Sequence, residues 1–98
     1  MLRIFTSIDK KLEELGFLKV ENENKYGACY MREIPINSGD SYIQRLDILC
    51  KSNGRHLIQS YEEGVNSDKL NNSVGLEYRE IKLAMKKYKQ LKRKYKWN

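Results

Sequence analysis

SYIQRLDILCKSNGRHLIQSYE, Ser41 to Glu62, is the stretch that decides the fold. Its first half alternates: Tyr42, Leu46, Ile48 and Cys50 face one way, and Arg45, Asp47 and Lys51 the other. That period of two belongs to a half-buried strand. Asn53-Gly54 then stands between two strand-like runs, and the pair is the signature of a tight type I′ hairpin because both residues tolerate positive φ. With a two-residue loop, Ser52 pairs with Arg55, Cys50 with Leu57, Ile48 with Gln59 and Leu46 with Tyr61. Directly paired residues share a face. The register therefore predicts Leu46, Ile48, Cys50, Leu57 and Tyr61 on one side and Asp47, Lys51, His56 and Ser60 on the other. Leu49 and Ile58 are the apolar exceptions on the wetter side.

Upstream, KYGACYMREI (Lys25 to Ile34) reads as a strand, FLKVE (Phe17 to Glu21) as a shorter one, NEN as a turn and PINSGD (Pro35 to Asp40) as a loop. Before them Phe5, Ile8, Leu12 and Leu15 recur on one stripe of a helix, with Thr6 or Ser7 as its N-cap. Gly16 at C′ ends that helix, and Phe17 at C″ can pack back on Leu12. Downstream, EEGVNSDKLNNSVG (Glu62 to Gly75) is long for a connection in a small domain, and such loops are functional or mobile. A second helix runs from about Leu76 to Tyr95. Tyr78, Ile81, Ala84, Met85, Tyr88, Leu91 and Tyr95 form its apolar stripe, and Arg79, Lys82, Lys86, Lys89, Gln90 and Arg93 its wet side. Helix, antiparallel strands, helix is the order of an α+β two-layer sandwich. The expectation is an antiparallel β-sheet of three to four strands with both helices on one face.

Ninety-eight residues make one domain, 1–98, large enough to bury a core without staples. The opening MLRIFTSIDKKLEEL turns polar by residue 9, and no apolar run approaches the ~18 residues that span a bilayer. The expected location is the cytoplasm, away from membranes. Cys29 and Cys50 lack metal-ligand spacing and read as small hydrophobes kept reduced.

The net charge of +6 is unevenly placed. Residues 1–80 hold 11 basic and 13 acidic side chains, whereas residues 81–98 hold 8 basic and no acidic ones. An ordinary solvated helix mixes signs, because pairs at i, i+4 help and like charges repel. Here Lys82, Lys86, Lys89 and Arg93 line one face unopposed, followed by Tyr95, Lys96 and Trp97. Basic residues with aromatics beside them can track phosphates and stack bases. Lysine also suits helix C-terminal ends for purely structural reasons.

The remaining chemistry is thin. His56 is the lone histidine and reads as a solvated residue paired with Lys51; Asp47, Glu62 and Glu63 could gather at the open end of the hairpin, but in a spacing that matches no metal loop. No phosphate loop, nucleophile elbow or HExxH is present. The reading is of a non-enzymatic protein with no cofactor and no metal. In the 62–75 loop, Asn66, Asp68, Asn71 and Asn72 are candidates for contacting a partner.

The segments IDKKLEELGFLKVE, YIQRLDILCKSNGRHLIQSYEEGVNSD and VGLEYREIKLAMKKYKQ resemble small uncharacterised proteins of phages and prophages of low-GC Gram-positive bacteria. That group has no assigned activity, so the resemblance carries over no functional residue. It implies a context, the cytoplasm of a bacterial host, in which proteins of this size act as regulators, nucleic-acid binders or inhibitors of host defence such as anti-CRISPR proteins. Two readings follow. One is a binding module whose Lys82, Lys86, Lys89, Arg93 and Lys96 contact phosphates in nucleic acid or a host nucleoprotein complex, with Tyr95 and Trp97 as stacking groups. The other is an inhibitor that binds a host protein directly through the 62–75 loop and an exposed sheet face. An uncovered face or edge could also form a homodimer.

Overall fold

The expected order of elements is the one the chain adopts. A computed structural model describes residues 7–63 and 72–98. It contains α1 (Ile8–Glu14), β1 (Leu18–Lys19), β2 (Gly27–Pro35), β3 (Ser41–Cys50), β4 (His56–Glu62) and α2 (Tyr78–Lys94). The strands form one antiparallel sheet in the order β1-β2-β3-β4. Leu12 of α1 and Ala84 and Leu91 of α2 join Phe17, Ala28, Tyr30, Leu46, Ile48 and Trp97 in a single core between helices and sheet. This is the α+β two-layer arrangement.

The ends of α1 follow from local sequence. Ser7 is its N-cap and its hydroxyl accepts from the Lys10 N–H at 3.1 Å. Gly16 takes φ +96° at C′, its N–H donates to the Glu13 carbonyl, and the Phe17 N–H donates back to Leu12. Those two bonds are the Schellman closure that the Gly16-Phe17 pair predicts. Phe5, placed on the same stripe by its spacing, lies outside the described residues.

The hairpin register differs from the sequence expectation by one residue. The loop holds three residues, not two: Lys51 N–H donates to Arg55 O at 2.8 Å and Gly54 N–H to Lys51 O at 2.9 Å. Gly54 alone has positive φ, +86°, while Asn53 uses its side chain to accept from the Arg55 N–H. This is a type I turn closed by a left-handed glycine, not the I′ turn. Cys50 therefore pairs with His56, Leu49 with Leu57, Ile48 with Ile58, Asp47 with Gln59 and Leu46 with Ser60. A slip of one residue exchanges the faces of β4. His56, Ile58 and Ser60 look toward the helices, and Leu57, Gln59 and Tyr61 toward the bare side of the sheet. Cys29 and Cys50 fall on opposite faces and are free thiols.

The described end of the connection after β4 returns along that strand. Glu62 N–H donates to Asn72 O, Val74 N–H to Ser60 O, and Tyr61 and Ser73 form an isolated bridge, so residues 72–74 lie along the edge of β4.

Candidate nucleic-acid interface

The start of α2 is set by Glu77 and Glu80, which form a capping box. Its end is a left-handed Lys96 at φ +55°, after which the Trp97 N–H returns to the Lys92 carbonyl. Between these points the helix is turned by roughly 70° from the orientation its apolar stripe suggests, taking ~100° per residue. The buried residues are Glu80, Ala84, Lys87 and Leu91. Tyr78, Ile81 and Met85, expected against the sheet, are exposed at 76%, 45% and 45%.

Two buried charged side chains, Glu80 and Lys87, account for the rotation. Arg32, stacked on Phe17, holds Glu80 at 2.6 Å beneath the helix. Lys87 is drawn inward by Asp9 at 3.1 Å and Glu23 at 2.7 Å. Lys19 and Lys94 reach the same carboxylates, Lys19 contacting both and Lys94 contacting Glu23. Burial alone would raise the Glu23 carboxyl, but hydrogen bonds from Lys87, Lys19 and Lys94 outweigh it and hold it at about 2. Asp9 is lowered in the same way, its burial being overcome by Lys19, Tyr30 and Lys87.

Of the eight basic residues after Glu80, Lys87 and Lys94 are thus taken up internally. Lys82, Lys86, Lys89, Lys92, Arg93 and Lys96 are exposed and make no ion pair among the described residues. Lys82, Lys86, Lys89 and Arg93 fall within an arc of about 60° and span roughly 16 Å along the axis. Tyr78 stands at the head of this stripe with the Lys82 ammonium 5.4 Å from its ring centroid. Lys89, Lys92, Arg93 and Trp97 line a shallow depression at the other end.

The two aromatics expected as stacking groups are placed otherwise. Trp97 is 8% exposed, its indole N–H donates to the Lys25 carbonyl at 2.7 Å, and its ring packs near His56 and Tyr88. Tyr95 is half-buried against the core. The reason is the helix terminus: the left-handed Lys96 folds the last residues back under α2. Tyr78 is the aromatic that sequence reasoning missed, because its spacing places it on the apolar stripe.

His56 is half-buried, not solvated, and its Nδ1 lies 2.6 Å from the Tyr88 hydroxyl. It faces the helices while Asp47 lies on the other side of the sheet, so the two do not form one site. Asp47 is 4% exposed and accepts from Gln59; Arg45 lies 3.8 Å from it and 3.4 Å from Glu63. Glu62, on the helix side, meets the Asn72 side chain. Among the described residues no three His, Cys, Asp or Glu side chains are placed to hold a metal. Burial and the adjacent Asp47 push the Cys29 thiol up to about 11 and the Tyr61 hydroxyl to about 12. Cys29 thus stays protonated at neutral pH and lacks thiolate reactivity. Asn66, Asp68 and Asn71 lie outside the described residues. No described helix is long and apolar enough to cross a membrane. Compared with known proteins, the chain matches no family model, no curated protein and no solved structure.

Proposed function

We propose that this is a non-enzymatic binding protein of a phage or prophage, working in the cytoplasm of a bacterial host. It engages nucleic acid, or the nucleic-acid channel of a host nucleoprotein complex, through the exposed face of α2. The observation that carries the reading is the stripe of Lys82, Lys86, Lys89 and Arg93, unpaired among the described residues and headed by the exposed Tyr78. Cations that only solvated the helix would be expected to find acids at i, i+4, as Lys87 and Lys94 find Asp9 and Glu23 across the fold. Phosphates supply the missing counter-charge, and Tyr78 offers a ring to an unstacked base.

Binding to labelled single- and double-stranded DNA and RNA, followed over a salt series, tests this. Four phosphate contacts on a duplex give a log–log slope near −3.6, which weakens binding roughly 150-fold between 50 and 200 mM salt. The triple variant Lys86→Gln/Lys89→Gln/Arg93→Gln is expected to lose this binding, and a variant that binds as the parent does would remove α2 from the site. Tyr78→Ala is expected to weaken single strands more than duplex.

A second reading, a direct inhibitor of a host defence protein, is favoured by the bare sheet face. Leu18 and Val20 are exposed there, with Met31, Leu49, Leu57 and Tyr61 half-buried beside them. A partner captured from host lysate equally well by the triple variant and the parent would support it.

A further inference from the structure

The helix layer stops short of the end of the sheet. α2 lies over β3, and beyond it β4 leaves Ile58 36% exposed on the helix side. His56, Leu57 and Ile58 of β4 and Met85 and Tyr88 of α2 line a groove of about 240 Å³, with exposed Ile81 one turn from Met85. That is less than the ~300–1,000 Å³ of small-molecule sites. Along the outer edge of β4, Ser60 O and Glu62 N–H are taken by Val74 and Asn72. The outward backbone groups thus belong to even-numbered residues, and those of His56 and Ile58 have no backbone partner among the described residues. A Cβ built on Gly75, just past Val74, would meet nothing within 4 Å, so the space beside it is open.

The groove is apolar within and charged with one sign around its rim. Residues 51–61 hold Lys51 and Arg55 and no acid, and α2 holds no acid after Glu80. Taking ~100° per residue, Lys92 falls about 20° from Met85, in line with the groove wall, and Lys82 and Lys89 about 40–60° to its solvent side. Lys89, Lys92, Arg93 and Trp97 line the next depression, and the Trp97 ring packs near His56 and Tyr88. We propose that the groove takes an extended segment of a partner protein, an apolar–x–apolar run followed by acidic residues, as an added strand of the sheet. Running antiparallel to β4, the segment continues the edge that residues 72–74 begin, without overlapping them. Its two apolar residues lie opposite Ile58 and then His56, and about four backbone hydrogen bonds form. Directly paired residues share a face, so both side chains enter the groove against Ile81, Met85 and Tyr88. α2 begins at the Ser60 end of β4 and reaches His56 at Tyr88, so the segment runs the same way as the helix. Its acids, following the apolar pair, therefore arrive at Lys89, Lys92 and Arg93. Charge complementarity selects this occupant. A second copy would set these cations against one another, and nucleic acid offers nothing to the paired backbone groups or the apolar wall.

Selection of random short peptides, displayed on yeast, against the full chain without nucleic acid tests this. The expected winners carry apolar–x–apolar followed by acid, and bind more weakly as salt rises. On the parent protein, N-methylation of either groove-facing residue of a winning peptide is expected to weaken binding at least tenfold. The same change on the residue between them should leave binding unaltered, because only alternate amides face β4. Met85→Glu and the pair Lys89→Glu/Lys92→Glu are each expected to weaken binding at least tenfold while the circular dichroism spectrum is unchanged. No winning peptide, winners without acids, or binding indifferent to both the N-methyl position and Met85→Glu overturns the proposal. Self-association that Met85→Glu abolishes would make a second copy the occupant and overturn it too. So would an oligonucleotide that moves the Met85 methyl signal in NMR spectra when no peptide does. The peptide measurements contain no nucleic acid, so their failure leaves the phosphate-binding reading to its own salt series.

Discussion

Gly27 shows how a single residue can be demanded by the fold. It opens β2 at φ +134°, and a Cβ built on it would sit 2.0 Å from the carbonyl oxygen of Ile48. Neither backbone can yield without breaking the β2–β3 ladder, where Gly27 lies opposite Leu49. Gly27→Ala is expected to cost about 3 kcal/mol or more, strain and steric overlap acting together; urea unfolding at neutral pH measures it. A loss under 1 kcal/mol would mean the strands separate easily there. The sequence marks a glycine inside a strand but not its reason, because the atom it must avoid belongs to the next strand.

At the scale of elements, the end of α2 illustrates a cap that reaches beyond its own helix. The left-handed Lys96 directs Trp97 under the helix, where the ring meets His56 and Tyr88 and the indole N–H meets Lys25 O on the β1–β2 connection. Trp97→Ala removes a buried ring and strands an acceptor, and is expected to cost about 3–5 kcal/mol. Trp97→Phe keeps most of the packing and should cost less than half of that. If Trp97→Ala instead lost nucleic-acid binding with its melting temperature unchanged, the ring would be a contact and not a core residue. The β3–β4 hairpin makes the companion point. Asn53-Gly54 signals a turn correctly, but the loop takes three residues, and that one-residue difference moves His56 from solvent to the core side.

Over the whole molecule, the Asp9–Lys19–Glu23–Lys87–Lys94 network joins α1, β1, the β1–β2 connection and α2. Glu23 falls from an ordinary 4.5 to about 2, and Asp9 is lowered from 3.8. Groups with depressed folded pKa values contribute stability that is complete above their unfolded values and is lost as pH falls through the folded ones. The melting temperature is thus expected to be level near neutral pH, to decline from about pH 4.5, and to keep falling towards pH 2. Lys87→Met should flatten this decline while lowering the plateau. Lys19 and Lys94 are raised, so their contribution persists below 10.5 and fades only as pH rises beyond it. A melting curve unchanged between pH 5 and pH 2 would show that the network is not held in solution.

The sequence by itself determined the element order, the end of α1 at Gly16, the strand pattern of β2 and β3, and the concentration of positive charge after Glu80. Each of these depends on residues a few positions apart: a hydrophobic period, a glycine at C′, a run without acids. The tertiary structure alone decided which way α2 turns and therefore what it shows to solvent. That rotation rests on Arg32 with Glu80 and on Glu23 with Lys87, pairs separated by 48 and 64 residues. An apolar stripe predicts burial only while no buried charge competes for the same face. Here Glu80 and Lys87 take part of that face, so Tyr78, Ile81 and Met85 turn outward beside the lysines, while Trp97 turns in.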